Sequence, residues 1–311
     1  MQVMLLRAGY GTTVQDLGRF GWRASGVSVS GALDAHALRV ANLLVGNKET
    51  AAGLEVALGT VRLRFEDERL VAWCGGDFRT GLPRGRPVLV RAGEEVQWEA
   101  RENGGRAWLA ISGGVAVSPV LGSRSTDARA ALGGTLLQDG EVLPLGGAGA
   151  PSRRSPDGPA WFAPNEWTNT TPAKQLLRVI RGTEWSLFSS AEALLHEPFL
   201  VTAASDRMGA RLQGAQLHRH HHGDLLSEPV IAGTIQVPPG GDPILLLADC
   251  QTIGGYPKIA HVITVDLAGA AQLQAGDVVR FSEVSLGEAH RLLLERERDL
   301  AWFRAGLSLM R

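Results

Sequence analysis

The stretch from Ala248 to Ala260 reads Ala-Asp-Cys-Gln-Thr-Ile-Gly-Gly-Tyr-Pro-Lys-Ile-Ala and follows the apolar run Ile244-Leu245-Leu246-Leu247. A plain turn needs Gly, Asn or Asp. It has no need of Gln251, Tyr256 and Lys258 as well. Asp249 is a carboxylate that can direct water or a proton. Lys258 is a compact positive charge suited to a carboxylate or phosphate. Gln251 and Tyr256, with Gln236 upstream, can hold an amide by hydrogen bonds. Gly254-Gly255 lets backbone approach a ligand closely, and the Tyr256-Pro257 step stiffens the chain before Lys258. The expectation is a loop that touches a ligand at the end of a buried strand, set against an ordinary long connection between barrel strands.

Other groups have two readings each. Asp34, in Ser30-Gly31-Ala32-Leu33-Asp34, stands at a helix start. It is either a carboxylate favoured by the helix dipole or one aimed into a cleft. Asp206-Arg207 is either a structural ion pair or part of an anion site. His218-Arg219-His220-His221-His222 offers imidazoles, which are common zinc ligands. Consecutive side chains of an extended segment point to opposite faces and do not converge on one ion, so the run reads as a solvated loop and no metal site is assigned. Gly9-Tyr10-Gly11-Thr12-Thr13 lacks the Lys of a phosphate loop, and no G-x-G-x-x-G leads into a helix. Around Ser28, the last position of a nucleophile elbow is Ser30 rather than Gly.

These groups must be carried by a chain of 311 residues with a net charge of −1. Such a length corresponds to about two domains. No basic stripe points to nucleic acid, and no apolar run is long enough for a membrane. The N-terminus makes a poor signal peptide. Cys74 and Cys250 end apolar runs and read as buried thiols of a cytoplasmic protein rather than a disulfide framework. The 39 glycines imply many turns and a mainly β protein.

The two halves echo one another. Gly59-Thr60-Val61-Arg62-Leu63 and then Leu70-Val71-Ala72-Trp73 match Gly233-Thr234-Ile235-Gln236-Val237 and then Ile244-Leu245-Leu246-Leu247 at one constant offset. Both pairs read as hairpins. Val90–Trp98 likewise resembles Leu273–Phe281, and the extra residues of the second copy fall where Ala248–Ala260 lies. Asp16-Leu17-Gly18-Arg19 faintly echoes the segment Asp206–Arg211. The expected organisation is two related β domains, 1–160 and 161–285, joined through a breaker-rich stretch near 147–175, and a C-terminal helix over 286–311. Helices are expected from Ala32 to Leu44, after Ser189, and after Ser285, the last two opened by Ser/Glu capping boxes.

Several of these segments resemble one family. Thr12–Gly21, Gly26-Val27, Ser30–Asp34 and Ala41–Asn47 in the first half, with Ser205–Gly214, Gly233–Gly241 and Ala248–Ala260 in the second, are similar to the allophanate hydrolase subunit 2 or KipA family. The resemblance runs from about residue 3 to residue 283 and implies tandem cyclophilin-like β-barrel domains with a few short helices. It also implies membership of an ATP-dependent 5-oxoprolinase, with ATP and Mg bound by a complex of this chain with A and B subunits, the latter KipI-like. Two alternatives follow from the same family: a carboxyltransferase component of a urea carboxylase or allophanate hydrolase system, and a KipA-like regulator that binds a kinase inhibitor. This chain carries no Met-Lys-Met biotin-attachment motif. It departs from the family in Val179–Glu184, where a Leu-Pro-Gly-Pro run is common, at Gly134-Thr135, where a Gly-Arg pair is usual, and at Asp249-Cys250-Gln251-Thr252, where Asp-Arg-Gln-Thr is usual. Opening a lactam through a phosphorylated carbonyl needs cations for phosphate and carboxylate, and a group to direct water. On that chemistry Arg19, Arg207 and Lys258 are expected to bind anionic groups. Asp34 or Asp249 would orient water or a proton, and Gln236, Gln251 and Tyr256 would position the amide.

Overall fold

The computed structural model describes residues 1–100, 105–148, 160–168, 176–221, 223 and 225–310. The described chain is mainly β and forms two compact units. The first contains Met1–Arg19, Ser30–Thr171 and Leu300–Arg311; the second contains Phe20–Val29 and Pro172–Asp299. Most of the breaker-rich stretch near 147–175, together with His222 and Asp224, lies outside the described residues.

In the first unit the strands form two five-stranded sheets. One runs in the order Val142–Pro144, Gln2–Tyr10, Leu58–Phe65, Glu95–Ala100, Phe78–Arg79; the other runs Thr13–Gln15, Gly53–Val56, Ala107–Ile111, Arg69–Gly75, Val88–Val90. The alternation of Leu58–Phe65 puts Val61, Leu63 and Phe65 inward, where they join Val3, Leu5, Leu54, Trp73, Trp98 and Leu109 in one buried cluster. Each such side chain contributes about 1.5–3 kcal/mol by leaving water. The helix Ala35–Leu44 lies against Arg69–Gly75 and Ala107–Ile111 and buries most of its side chains, including Leu38, Val40 and Leu44.

The expected hairpin between Leu58–Phe65 and Arg69–Gly75 does not form. The first strand pairs with Gln2–Tyr10 and Glu95–Ala100, the second with Val88–Val90 and Ala107–Ile111. The acidic turn between them carries the chain from one sheet to the other. Arg69 anchors that crossing: buried, it ion-pairs with Asp67 at 2.8 Å and donates to the Ser112 carbonyl at 2.6 Å and that of Gly146 at 2.8 Å.

In the second unit seven strands close into a barrel in the order Leu176–Arg181, Lys258–Val262, Thr234–Gln236, Ile244–Leu246, Gly209–Gln213, Phe199–Val201, Val278–Glu283. Leu176–Arg181 and Val278–Glu283 close it by pairing in parallel, Leu177 opposite Phe281, whereas the other neighbours are antiparallel. Here the expected hairpin is present, with Ile235 opposite Leu245 and Gln236 opposite Ile244. A separate two-stranded ribbon pairs Glu228-Pro229 with Ile253-Gly254. The C-terminal helix spans Leu286–Met310 and opens as its sequence implies, with Glu288 N–H donating to Ser285 Oγ at 3.1 Å. After Ser189 only a short turn of helix forms, Ala193–His196. No helix of the described residues is long and apolar enough to cross a membrane.

Candidate functional site

The second unit holds most of the polar groups singled out in the sequence, and a β-bulge aligns two of them, Gln236 and Lys258. Thr234 stands opposite His261 and Ile235 opposite Ala260, but Gln236 stands opposite Lys258, so Ile259 is the extra residue. Residues directly opposite share a face, and a bulge re-aims the side chains beyond it. Thr234, Gln236, His261 and Lys258 therefore line one face, while Ile235 and Ala260 turn to the other. Without the extra residue Gln236 would oppose Ile259, and Lys258 would point away.

Lys258 is only 8% exposed, and its surroundings are acidic. Its Nζ lies 2.7 Å from Glu228 Oε2 and 3.2 Å from Glu184 Oε1. Its backbone N–H donates to Glu184 Oε2 at 3.0 Å. Burial works to lower the amine's pKa, but the hydrogen bonds to Glu228 and Glu184 outweigh it and the pKa is raised. Burial likewise works to raise the Glu184 carboxyl, and hydrogen bonds from Thr183 and Lys258 hold it below its ordinary value. The pair is thus an ammonium and a carboxylate at neutral pH. Lys258 is an electrostatic group rather than a proton acceptor. Beside it, burial lowers the His261 pKa, with Lys258 adding to the effect and Glu184 opposing it. Thr234 Oγ1 lies 3.2 Å from His261 Nδ1.

The amides are fixed in a chain. Gln251 Nε2 donates to Gln236 Oε1 at 3.2 Å, and Gln236 Nε2 donates to the Tyr256 carbonyl at 3.0 Å. Tyr256 itself is 46% exposed. With Gly255 and Pro257 it lines a cleft of about 560 Å³ whose other walls include Leu217, His218, Arg219, Val237 and Pro238. The site loop and the histidine run thus meet in one cleft. Among the described residues no three His, Cys, Asp or Glu side chains are grouped as a metal centre.

Arg207 and Asp249 make a bidentate pair, Nε to Oδ2 at 2.8 Å and Nη2 to Oδ1 at 3.1 Å. Asp249 N–H also donates to the Arg207 carbonyl at 3.0 Å. This geometry fixes the Asp249 carboxylate and occupies one edge of the guanidinium. Cys250, which stands where the family more often has Arg, is buried, and its thiol is pushed up to about 11 by that burial. Arg23, in the segment Phe20–Val29, brings a cation to the same place by donating to the carbonyls of Val230 and Thr252.

Two expected site residues belong to the first unit. Arg19 is 1% exposed, and its Nη2 donates to the Ser125 carbonyl. Asp34 is 1% exposed and caps the helix Ala35–Leu44, accepting from Ala37 N–H at 2.9 Å. Sequence reasoning missed Glu184, Glu228, His261 and Arg23. The one signal was Gly182-Thr183-Glu184 in the stretch that departs from the family. Gly182 N–H donates to the Ile259 carbonyl at 2.8 Å, and a Cβ there would collide with the Lys258 carbonyl oxygen.

The described chain is mainly β with a closed seven-stranded barrel, and its similarity to known proteins defines its class. Residues 25–283 match the family described as carboxyltransferase domain, subdomain A and B, and the chain belongs to that family. It is similar to the C subunit of 5-oxoprolinase from Escherichia coli (strain K12), with 39% identity over 96% of this chain and 97% of that protein. The protein of the same name from Haemophilus influenzae is 37% identical over 92% of each. Among solved structures, the Kluyveromyces lactis urea amidolyase superposes with a TM-score of 0.89 at 28% identity; the match covers 97% of this chain and 20% of that one.

Proposed function

We propose that the chain is the C subunit of an ATP-dependent 5-oxoprolinase, acting with A-like and B-like subunits to open 5-oxo-L-proline to L-glutamate as ATP is hydrolysed. The observation that carries this reading is similarity across nearly the full length of both this chain and its E. coli relative. The site chemistry supports it. The substrate is an anion with a lactam. The Lys258 ammonium offers its carboxylate a charge-assisted hydrogen bond. Gln236 and Gln251, oriented by one another and by the Tyr256 carbonyl, are placed to align the lactam amide. Tyr256 walls the cleft. Asp249, held bidentately by Arg207, is the carboxylate that would orient an attacking water. Asp34 and Arg19, engaged inside the first unit, serve its structure.

ATP and Mg are assigned to the assembled complex. Among the described residues the cleft's lining includes Arg219 and His218 but no carboxylate, a donor set that does not suit a magnesium–phosphate group. When bound, ATP would supply a phosphoryl group that activates the lactam carbonyl. The residues of this chain hold and orient the substrate.

A urea carboxylase-type carboxyltransferase role is the second reading, favoured by the superposition on urea amidolyase. Reconstitution separates the readings. Hydrolysis of ATP that depends on 5-oxoproline supports the first. Dependence on urea, bicarbonate and a biotinylated partner supports the second. Binding of the B-like subunit with neither activity points to a regulator.

A further inference from the structure

Three cations are marked by the sequence for anions, and the structure distinguishes them. Arg19 is enclosed in the first unit. Arg207 is held bidentately by Asp249, whose side chain is itself buried. Lys258 is different, because its two carboxylate partners are unequal. Glu184 grips both ends of the residue, the side-chain ammonium and the backbone N–H, and its side chain is 15% exposed. Glu228 stands on the two-stranded ribbon outside the barrel, its side chain is 56% exposed, and its carboxylate meets the Lys258 Nζ but not the backbone N–H. Glu184 is a fixed partner. Glu228 is an exchangeable one, since its carboxylate is more than half in water and holds Lys258 at one point only.

Resting on the 5-oxoprolinase reading for the identity of the substrate, we propose that Glu228 holds the place of a ligand carboxylate on Lys258, and that a small carboxylate binds by displacing it. Glu228 is then a residue that sets affinity through Lys258. With Glu228 in place the ammonium is shared by two carboxylates. When the ligand arrives, Glu228 swings into solvent and the ammonium keeps two anionic partners, Glu184 and the ligand. The exchange conserves charge around Lys258, so it avoids stripping a buried cation of its partners. It also selects for anions, because a neutral lactam cannot replace the carboxylate it displaces.

The test is isothermal titration of the full chain, wild type, Glu228→Gln, Lys258→Met and the double variant, with 5-oxoproline, acetate and the neutral lactam 2-pyrrolidinone. Glu228→Gln keeps the size and shape of an exposed side chain. It should bind 5-oxoproline and acetate at least about threefold more tightly, leave 2-pyrrolidinone unchanged, and lose its gain when Lys258→Met is added. Equal or weaker binding of the carboxylates by Glu228→Gln, no binding by either protein, or an equal gain for 2-pyrrolidinone overturns the proposal. In the assembled complex the same variant should lower KM for 5-oxoproline and keep kcat. A merely structural ion pair would not give that split. If affinities rise as stated but the complex is inert with 5-oxoproline, the carboxylate exchange stands and the oxoprolinase reading falls. If the complex is active and affinities do not move, the reverse holds.

Discussion

Glu184 holds Lys258 at two points, accepting from its ammonium at 3.2 Å and from its backbone N–H at 3.0 Å. One carboxylate thereby fixes both where the strand Lys258–Val262 begins and where its first side chain points. Together with the Glu228 contact this grip keeps Lys258 an ammonium, and the first prediction follows from that charge. Lys258→Met should reduce coupled turnover by about tenfold or more, the loss of one charge-assisted contact. The far-ultraviolet circular dichroism spectrum should stay unchanged. Unchanged turnover would remove Lys258 from the site.

Gly182 tests the same region through its backbone. A side chain there meets the Lys258 carbonyl oxygen, and that strand cannot move without breaking the barrel. Gly182→Ala should destabilise the protein by about 1–3 kcal/mol, the usual cost of overpacking. Urea unfolding would read this as a lower midpoint at constant slope.

His261 gives a pH dependence with a defined sign. Burial lowers its folded pKa from an ordinary 6.5. The unfolded chain therefore binds the proton more readily, and stability is lost as pH falls below about 6.5 through the lowered folded value. Above that window His261 is neutral in both states and contributes no slope. His261→Asn should flatten this part of the stability curve relative to wild type. Parallel curves for the two proteins between pH 7 and 5 would contradict the assignment.

Both cysteines should be inert in the folded protein. Burial raises the Cys74 thiol and holds the Cys250 thiol near 11, so neither supplies thiolate at neutral pH. A disulfide-exchange reagent should titrate both thiols in denaturant and neither without it. Rapid native labelling of Cys250 would mean that its loop opens.

Much of the β architecture was legible as an echo between halves. Val90–Trp98 and Leu273–Phe281 both turn through a glycine with left-handed φ, 81° at Gly93 and 94° at Gly276, so the repeated Ala-Gly marks a repeated turn. Pairing was less legible. Alternation tells which face of Leu58–Phe65 is buried but not which strand lies beside it, and the chain crosses into the second sheet at the Asp67–Arg69 ion pair instead of forming a hairpin. The site was half legible for the same reason. Gln236, Gln251, Tyr256 and Lys258 come from one hairpin, the loop that follows and the start of the next strand, and they stood out by residue type. Glu184 and Glu228 reach Lys258 from 74 and 30 residues away, through strand neighbours that local sequence does not encode. The bulge that unites the polar face depends on a single extra residue, Ile259.

The most direct measurement is glutamate release from 5-oxoproline, with ATP hydrolysis, by this chain mixed with A-like and B-like subunits, each omitted in turn. Both products should form only when all three chains and 5-oxoproline are present. Full activity without this chain, or no activity with the complete set, would contradict the 5-oxoprolinase reading.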